Sequence, residues 1–64
     1  MLIKLVGASD TANIYGVYDE AGKRIATIES KLIGPNAGNH LTRFNTRYTR
    51  SQIFKAFRIY LSYH

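Results

Sequence analysis

Three arginines, Arg43, Arg47 and Arg50, are interleaved with Phe44 and Tyr48 in the stretch RFNTRYTR, and Lys55 and Arg58 follow shortly after. Cationic side chains neutralise phosphates, and aromatic rings stack on bases or sugars, so this pattern carries the chemistry of a nucleic-acid contact. From Arg43 to the end of the chain there is no Asp or Glu, and six of the eight aromatic residues lie there. Upstream, Lys4, Lys23, Arg24 and Lys31 balance Asp10, Asp19, Glu20 and Glu29. The whole net charge of +5 therefore belongs to residues 40–64. A field this one-sided attracts anions, whether nucleic acid, an anionic membrane or an acidic protein surface.

Other chemistry is poorly supplied. General acid–base and nucleophilic catalysis need paired groups around a shaped site. The four carboxylates fall mostly in expected turns and strand ends, and His40 follows a Gly/Asn-rich stretch where an exposed loop residue is the natural reading. No enzyme activity is expected. Without cysteine, and with only His40 and His64 as histidines, neither a metal site nor another cofactor is expected.

The length sets a second constraint. A chain of 64 residues buries only roughly 60% of its unfolded surface, so its core is thin. Disulfides and metals, two usual supports for so small a domain, are missing from the composition; good packing or oligomerisation is left. MLIKLVGAS has a short apolar run broken by Lys4, far below the roughly 20 residues of a membrane span. The expectation is one small cytoplasmic domain over residues 1–64 with no membrane span.

The elements that must position the basic residues are legible in outline. LIKLVGA predicts a strand over about 2–8, and NIYGVYDEAGKRIATIES predicts a hairpin with strands over about 13–19 and 23–30. Gly22 sits where a three-residue hairpin loop needs a left-handed residue. That turn pairs Tyr18 with Arg24, Val17 with Ile25, Tyr15 with Thr27 and Ile14 with Ile28. Tyr15, Val17, Ile25 and Thr27 then make the core face, and Tyr18 stands beside Arg24 on the other. KLIGPNAGNH reads as a loop, and residues 40–44 as a fourth strand. Thr49-Arg50-Ser51-Gln52 is a capping box that opens a helix over about 50–63. Ile53, Phe54, Phe57, Tyr60 and Leu61 form its apolar face, with Ser51, Lys55, Arg58 and Ser62 opposite. Phe44, Ile53 and Phe57 are expected in the core. The fold class is α+β: a small antiparallel sheet of three or four strands with one C-terminal helix packed on one face.

From Asn13 to Tyr63 the order of elements is similar to the small sheet-plus-helix DNA-binding modules at the N-termini of some phage-type integrases, and to plant three-stranded modules of like shape. The resemblance implies a sheet that enters the major groove. It lies in element order alone, so no site residue is carried over.

Two functions follow from these surfaces. The first is a small basic nucleic-acid-binding domain, DNA ahead of RNA. It grips phosphates through Arg43, Arg47, Arg50, Lys55 and Arg58, with Tyr48 and, from the hairpin, Tyr18 and Arg24 reaching sugar or base. The alternative is a non-enzymatic protein-binding modulator of phage or mobile-element type, which docks the same basic region on an acidic partner or forms a homodimer. The helix is apolar over more than half its circumference, and Ile59, Tyr60 and Tyr63 would then make the contact.

Overall fold

The computed structural model describes residues 1–63. It contains strands β1 (Leu2–Ala8), β2 (Ala12–Tyr18), β3 (Arg24–Lys31) and β4 (Gly38–Arg43), followed by helix α1 (Arg50–Ser62). The four strands form one antiparallel sheet in the order β1-β2-β3-β4. The α+β architecture expected from the sequence is the one observed. β4 starts two residues earlier than expected, at Gly38, whose φ of +127° is open to glycine alone among common residues.

Local chemistry closes each turn. Ser9 bridges β1 to β2: its Oγ accepts from the Thr11 and Ala12 amides at 3.3 and 3.2 Å. In the β2–β3 turn the Asp19 carboxylate accepts from the Ala21 and Lys23 amides at 3.0 and 2.9 Å, while Gly22 takes φ +84°. The hairpin loop is thus the one that Asp19 and Gly22 specify.

Beyond the turn the register differs from the simple alternation. Tyr18 faces Arg24 as expected, but Val17 then faces Ala26, Gly16 faces Thr27, Tyr15 faces Ile28 and Ile14 faces Glu29. The expected pairs Val17–Ile25, Tyr15–Thr27 and Ile14–Ile28 are therefore each off by one residue. Ile25 is an extra residue in β3, a β-bulge that lets Ile25 and Ala26 both reach the interior. Its carbonyl is not wasted, since the Phe44 amide donates to it at 2.9 Å. The consequence is a changed face: Ala26 and Ile28 join Tyr15 and Val17 in the core, and Thr27 turns to the open side, opposite Gly16.

The core comprises Ile3, Tyr15, Val17, Ile25, Ala26 and Ile28 from the sheet and Ile53 and Phe57 from the helix. Tyr15 is its aromatic centre, with its ring 4.8 Å from Phe57 and 5.8 Å from Tyr60 in edge-to-face geometry. The capping box forms as the sequence indicates: Thr49 Oγ1 accepts from the Gln52 amide (3.1 Å), and Gln52 Oε1 accepts from the Thr49 amide (2.8 Å). Phe44 departs from expectation and is 43% exposed: Leu41, opposite buried Ile28, is the side chain this part of the chain packs against the core.

Candidate nucleic-acid interface

The segment from Phe44 to Thr49 links β4 to α1 and carries Arg47, with Arg43 at the end of β4 and Arg50 at the start of α1 on either side. Asn45 takes φ +42°, a left-handed turn that asparagine tolerates better than most residues. The segment is then tied at Tyr48. Thr46 Oγ1 accepts from the Tyr48 amide (3.2 Å), and Arg43 Nη1 donates to the Tyr48 carbonyl (2.9 Å). The Tyr48 hydroxyl donates to both carboxylate oxygens of Glu20, at 2.9 and 3.1 Å, and so pins the segment to the β2–β3 turn. Glu20 Oε2 also accepts from the Met1 amine at 2.9 Å.

These contacts leave marks on two titrations. The Met1 amine first, and the Tyr48 hydroxyl second, hold the Glu20 carboxyl below its ordinary 4.5. The same hydrogen bond to Glu20 raises the Tyr48 phenol above its ordinary 10.0.

Tyr48 is thus half-buried and engaged, with its hydroxyl committed to Glu20. Arg43 and Arg50 are engaged in part. Arg50 Nη1 donates to the Leu41 carbonyl of β4 at 3.4 Å, and its guanidinium lies 5.7 Å from the Phe54 ring centre. A guanidinium carries five N–H donors, so one protein contact leaves most of the fork for a ligand. Arg47, Lys55 and Arg58 are exposed. Arg47 borders a groove of about 500 Å³ between the β2–β3 turn and this segment, with Asp19, Glu20, Lys23, Asn45 and Gln52 among its walls.

Tyr18 and Arg24 lie elsewhere. Both project from the sheet face opposite to α1, and Arg24 Nη2 donates to the Tyr18 hydroxyl at 2.8 Å. The Tyr18 ring lies across Gly16, where an added Cβ would fall within 3 Å of the ring atoms. Lys4 Nζ and the Arg24 guanidinium sit 5.5 and 5.3 Å from the ring centre, within cation–π range. Lys4 escaped the sequence reading, because nothing in β1 alone shows that it pairs with Gly16. Arg43 and Arg50 hold the segment to β4 and Tyr48, Arg47 borders the groove beside the β2–β3 turn, and Lys55 and Arg58 are exposed along α1. Tyr18 and Arg24 belong to a different surface.

Of the three residues expected at a protein interface, Ile59 is 52% and Tyr63 81% exposed, whereas Tyr60 is half-buried against Tyr15 and Phe57. His40 lies in β4, not in the preceding loop; its Nε2 contacts the Asn36 carbonyl at 2.7 Å, which requires the proton on that nitrogen. Among the described residues no three His, Asp or Glu side chains come together as metal ligands would, and no helix is long and apolar enough to cross a membrane.

The charge balance is the main electrostatic finding. Among the described residues the one ion pair joins the Met1 amine to Glu20, so none of the nine Lys and Arg side chains is paired with a carboxylate there. The first turn of α1 contains no acid and does contain Arg50. A cation there opposes the helix dipole by about 0.3–1 kcal/mol.

Comparison with known families, curated proteins and solved structures returned no match for this chain.

Proposed function

We propose that this protein binds nucleic acid, duplex DNA ahead of RNA, through the segment Phe44–Thr49 and the outer face of α1. The observation that carries the reading is uncompensated charge. Five cations fall between Arg43 and Arg58 with no acid among them in the sequence and no carboxylate partner among the described residues. Like charges this close along the chain repel, and an anionic partner removes the repulsion. Arg50 adds to this, since a phosphate beside the first turn of α1 would satisfy both the guanidinium and the free helix amides.

The roles divide by engagement. Arg47, Lys55 and Arg58 take phosphates directly. Arg43 and Arg50 hold the segment to Tyr48 and Leu41 with one nitrogen and offer the remaining donors outward. Tyr48 positions the segment through Glu20, and its ring edge is available to a sugar. Arg50 to Arg58 spans about 12 Å of helix axis, a distance over which a strand presents more than one phosphate. A helix with one free face also fits the roughly 12 Å major groove of B-form DNA.

The test is a fluorescence-anisotropy titration of the purified protein with single- and double-stranded oligonucleotides at low and moderate salt. Five phosphate contacts imply an affinity loss of about 500-fold between roughly 50 and 200 mM salt. Absence of binding at the lower concentration would overturn the reading and move the same charge to an acidic protein partner.

A further inference from the structure

We infer that the groove between the β2–β3 turn and the segment Phe44–Thr49 receives one unpaired nucleotide of the bound strand. The inference rests on the phosphate-binding reading above and adds the form of nucleic acid that the site takes. With a phosphate on Arg47, the groove that Arg47 borders takes whatever adjoins that phosphate. At about 500 Å³ the groove falls within the roughly 300–1,000 Å³ of small-ligand sites, which leaves room for a base. Its charged residues are Asp19, Glu20, Lys23 and Arg47, which sum to zero in a protein of net charge +5. A second phosphate would meet two carboxylates there. A base carries no charge and offers both N–H donors and acceptors, so it is the part of a strand that suits these walls.

The fold fixes the polar groups that would meet it. Asp19 commits Oδ1 to the Ala21 and Lys23 amides, at 3.0 and 2.9 Å, and no donor among the described residues meets Oδ2. Gln52 commits Oε1 to the Thr49 amide at 2.8 Å, so its amide group has chiefly N–H donors left to give. One side chain therefore supplies an acceptor and the other supplies donors, and the turn and the helix cap hold both in place. Asn45, at its left-handed turn, adds an amide with no partner among the described residues. Tyr48 also lines the groove, with its ring fixed by the hydroxyl contact to Glu20. A base stacked and paired within a duplex has neither its faces nor its Watson–Crick edge to offer, and extruding it is costly. An unpaired nucleotide at a strand end or a gap enters without that cost. The preferred ligand is then a duplex that carries such a nucleotide.

Anisotropy titration of the full chain at low salt tests this, with a blunt duplex and with the same duplex carrying one unpaired nucleotide at either end of a strand. The unpaired nucleotide should tighten binding by about 10-fold or more. A fluorescent aminopurine placed there should change its emission on binding, and one in the duplex interior should not. Asp19→Asn and Gln52→Glu each keep the oxygen that closes the turn or the cap and change only the outward atom. Each should cut the advantage of the extended duplex over the blunt one by about 3-fold or more, with circular dichroism unchanged. The ratio is the readout, because a changed charge alone alters both affinities alike. Equal affinity for blunt and extended duplexes overturns the inference and leaves the phosphate grip standing. An advantage that survives both variants overturns it too, since the nucleotide then sits elsewhere. No binding to any of these duplexes at low salt removes the grip and the inference together.

Discussion

The molecule has two basic regions built on different physical terms. On the open sheet face, Lys4 and Arg24 gather around Tyr18, which fills the space above Gly16. Their charge is partly satisfied by the ring, and Arg24 also donates to the tyrosine hydroxyl. On the helix side, Arg47, Lys55 and Arg58 are exposed with no ion-pair partner among the described residues. The backbone beneath them is nonetheless fixed, by Arg43 and Glu20 through Tyr48 and by the Thr49 cap. The contrast separates cations that contribute to the fold from cations that the fold holds out to solvent. Only the second kind gives up little when it meets a phosphate.

The largest effect that breaks this contrast is loss of the core both regions rest on. Phe57 is fully buried against Tyr15, and Phe57→Ala should cost about 3–5 kcal/mol. In so small a core that should leave little folded protein at room temperature, as thermal or urea denaturation followed by circular dichroism would show. Next comes the cap. Thr49→Ala removes the side-chain acceptor of the Gln52 amide and should cost about 1 kcal/mol. It should also loosen the basic segment, read as a lowered thermal midpoint and faster amide exchange in the first turn of α1, while β2 and β3 stay protected.

A smaller effect is pH-dependent. Glu20 has a depressed folded-state pKa, so its contribution is present above its ordinary 4.5 and is lost as pH falls through the lower folded value. Tyr48 is raised, so its contribution is present below its ordinary 10.0 and is lost as pH climbs through the higher folded value. Both groups are solvent-accessible, and the change in midpoint should be slight. Glu20→Gln should flatten the thermal midpoint at the acid and alkaline ends together. A variant that keeps the wild-type pH profile would contradict the Tyr48–Glu20 link.

The smallest expected effect sharpens the comparison from the other side. Gly16→Ala places a methyl group within 3 Å of the Tyr18 ring and hydroxyl and should displace that ring from Lys4 and Arg24. Stability should change by less than about 0.5 kcal/mol, since the ring is free to swing outward and alanine suits a strand better than glycine. The Tyr18 ring resonances should shift, and binding on the helix side should not change.

The elements were legible in the sequence because each is bounded by local chemistry: Gly22 in the hairpin, Gly34 to Ala37 before β4, and Thr49 with Gln52 at the helix start. What escaped is non-local. The bulge at Ile25 depends on Phe44 taking its carbonyl, a contact between residues 19 apart that no alternation pattern reveals. The hydroxyl of Tyr48 reaches Glu20 across 28 residues, which changes that tyrosine from a free ring into a fixed anchor. Tyr18 and Arg24 pair as the turn chemistry indicates. Which side of the sheet they occupy relative to the helix was decided by packing, because two faces of the hairpin were both partly apolar. Lys4 was hidden for the same reason, since only the β1–β2 register brings it to Tyr18.

The most direct measurement compares two variants in the same anisotropy titration: Arg47→Ala/Lys55→Ala/Arg58→Ala against Lys4→Ala/Arg24→Ala. Three lost phosphate contacts should lower the slope of log affinity against log salt by about 3, uniformly across oligonucleotide sequences, with the fold intact by circular dichroism. The sheet-face pair should leave both slope and affinity near wild type. The opposite result, with the triple variant binding normally and the sheet-face pair losing its salt dependence, would place the phosphate grip on the wrong side of the molecule and contradict the proposed interface.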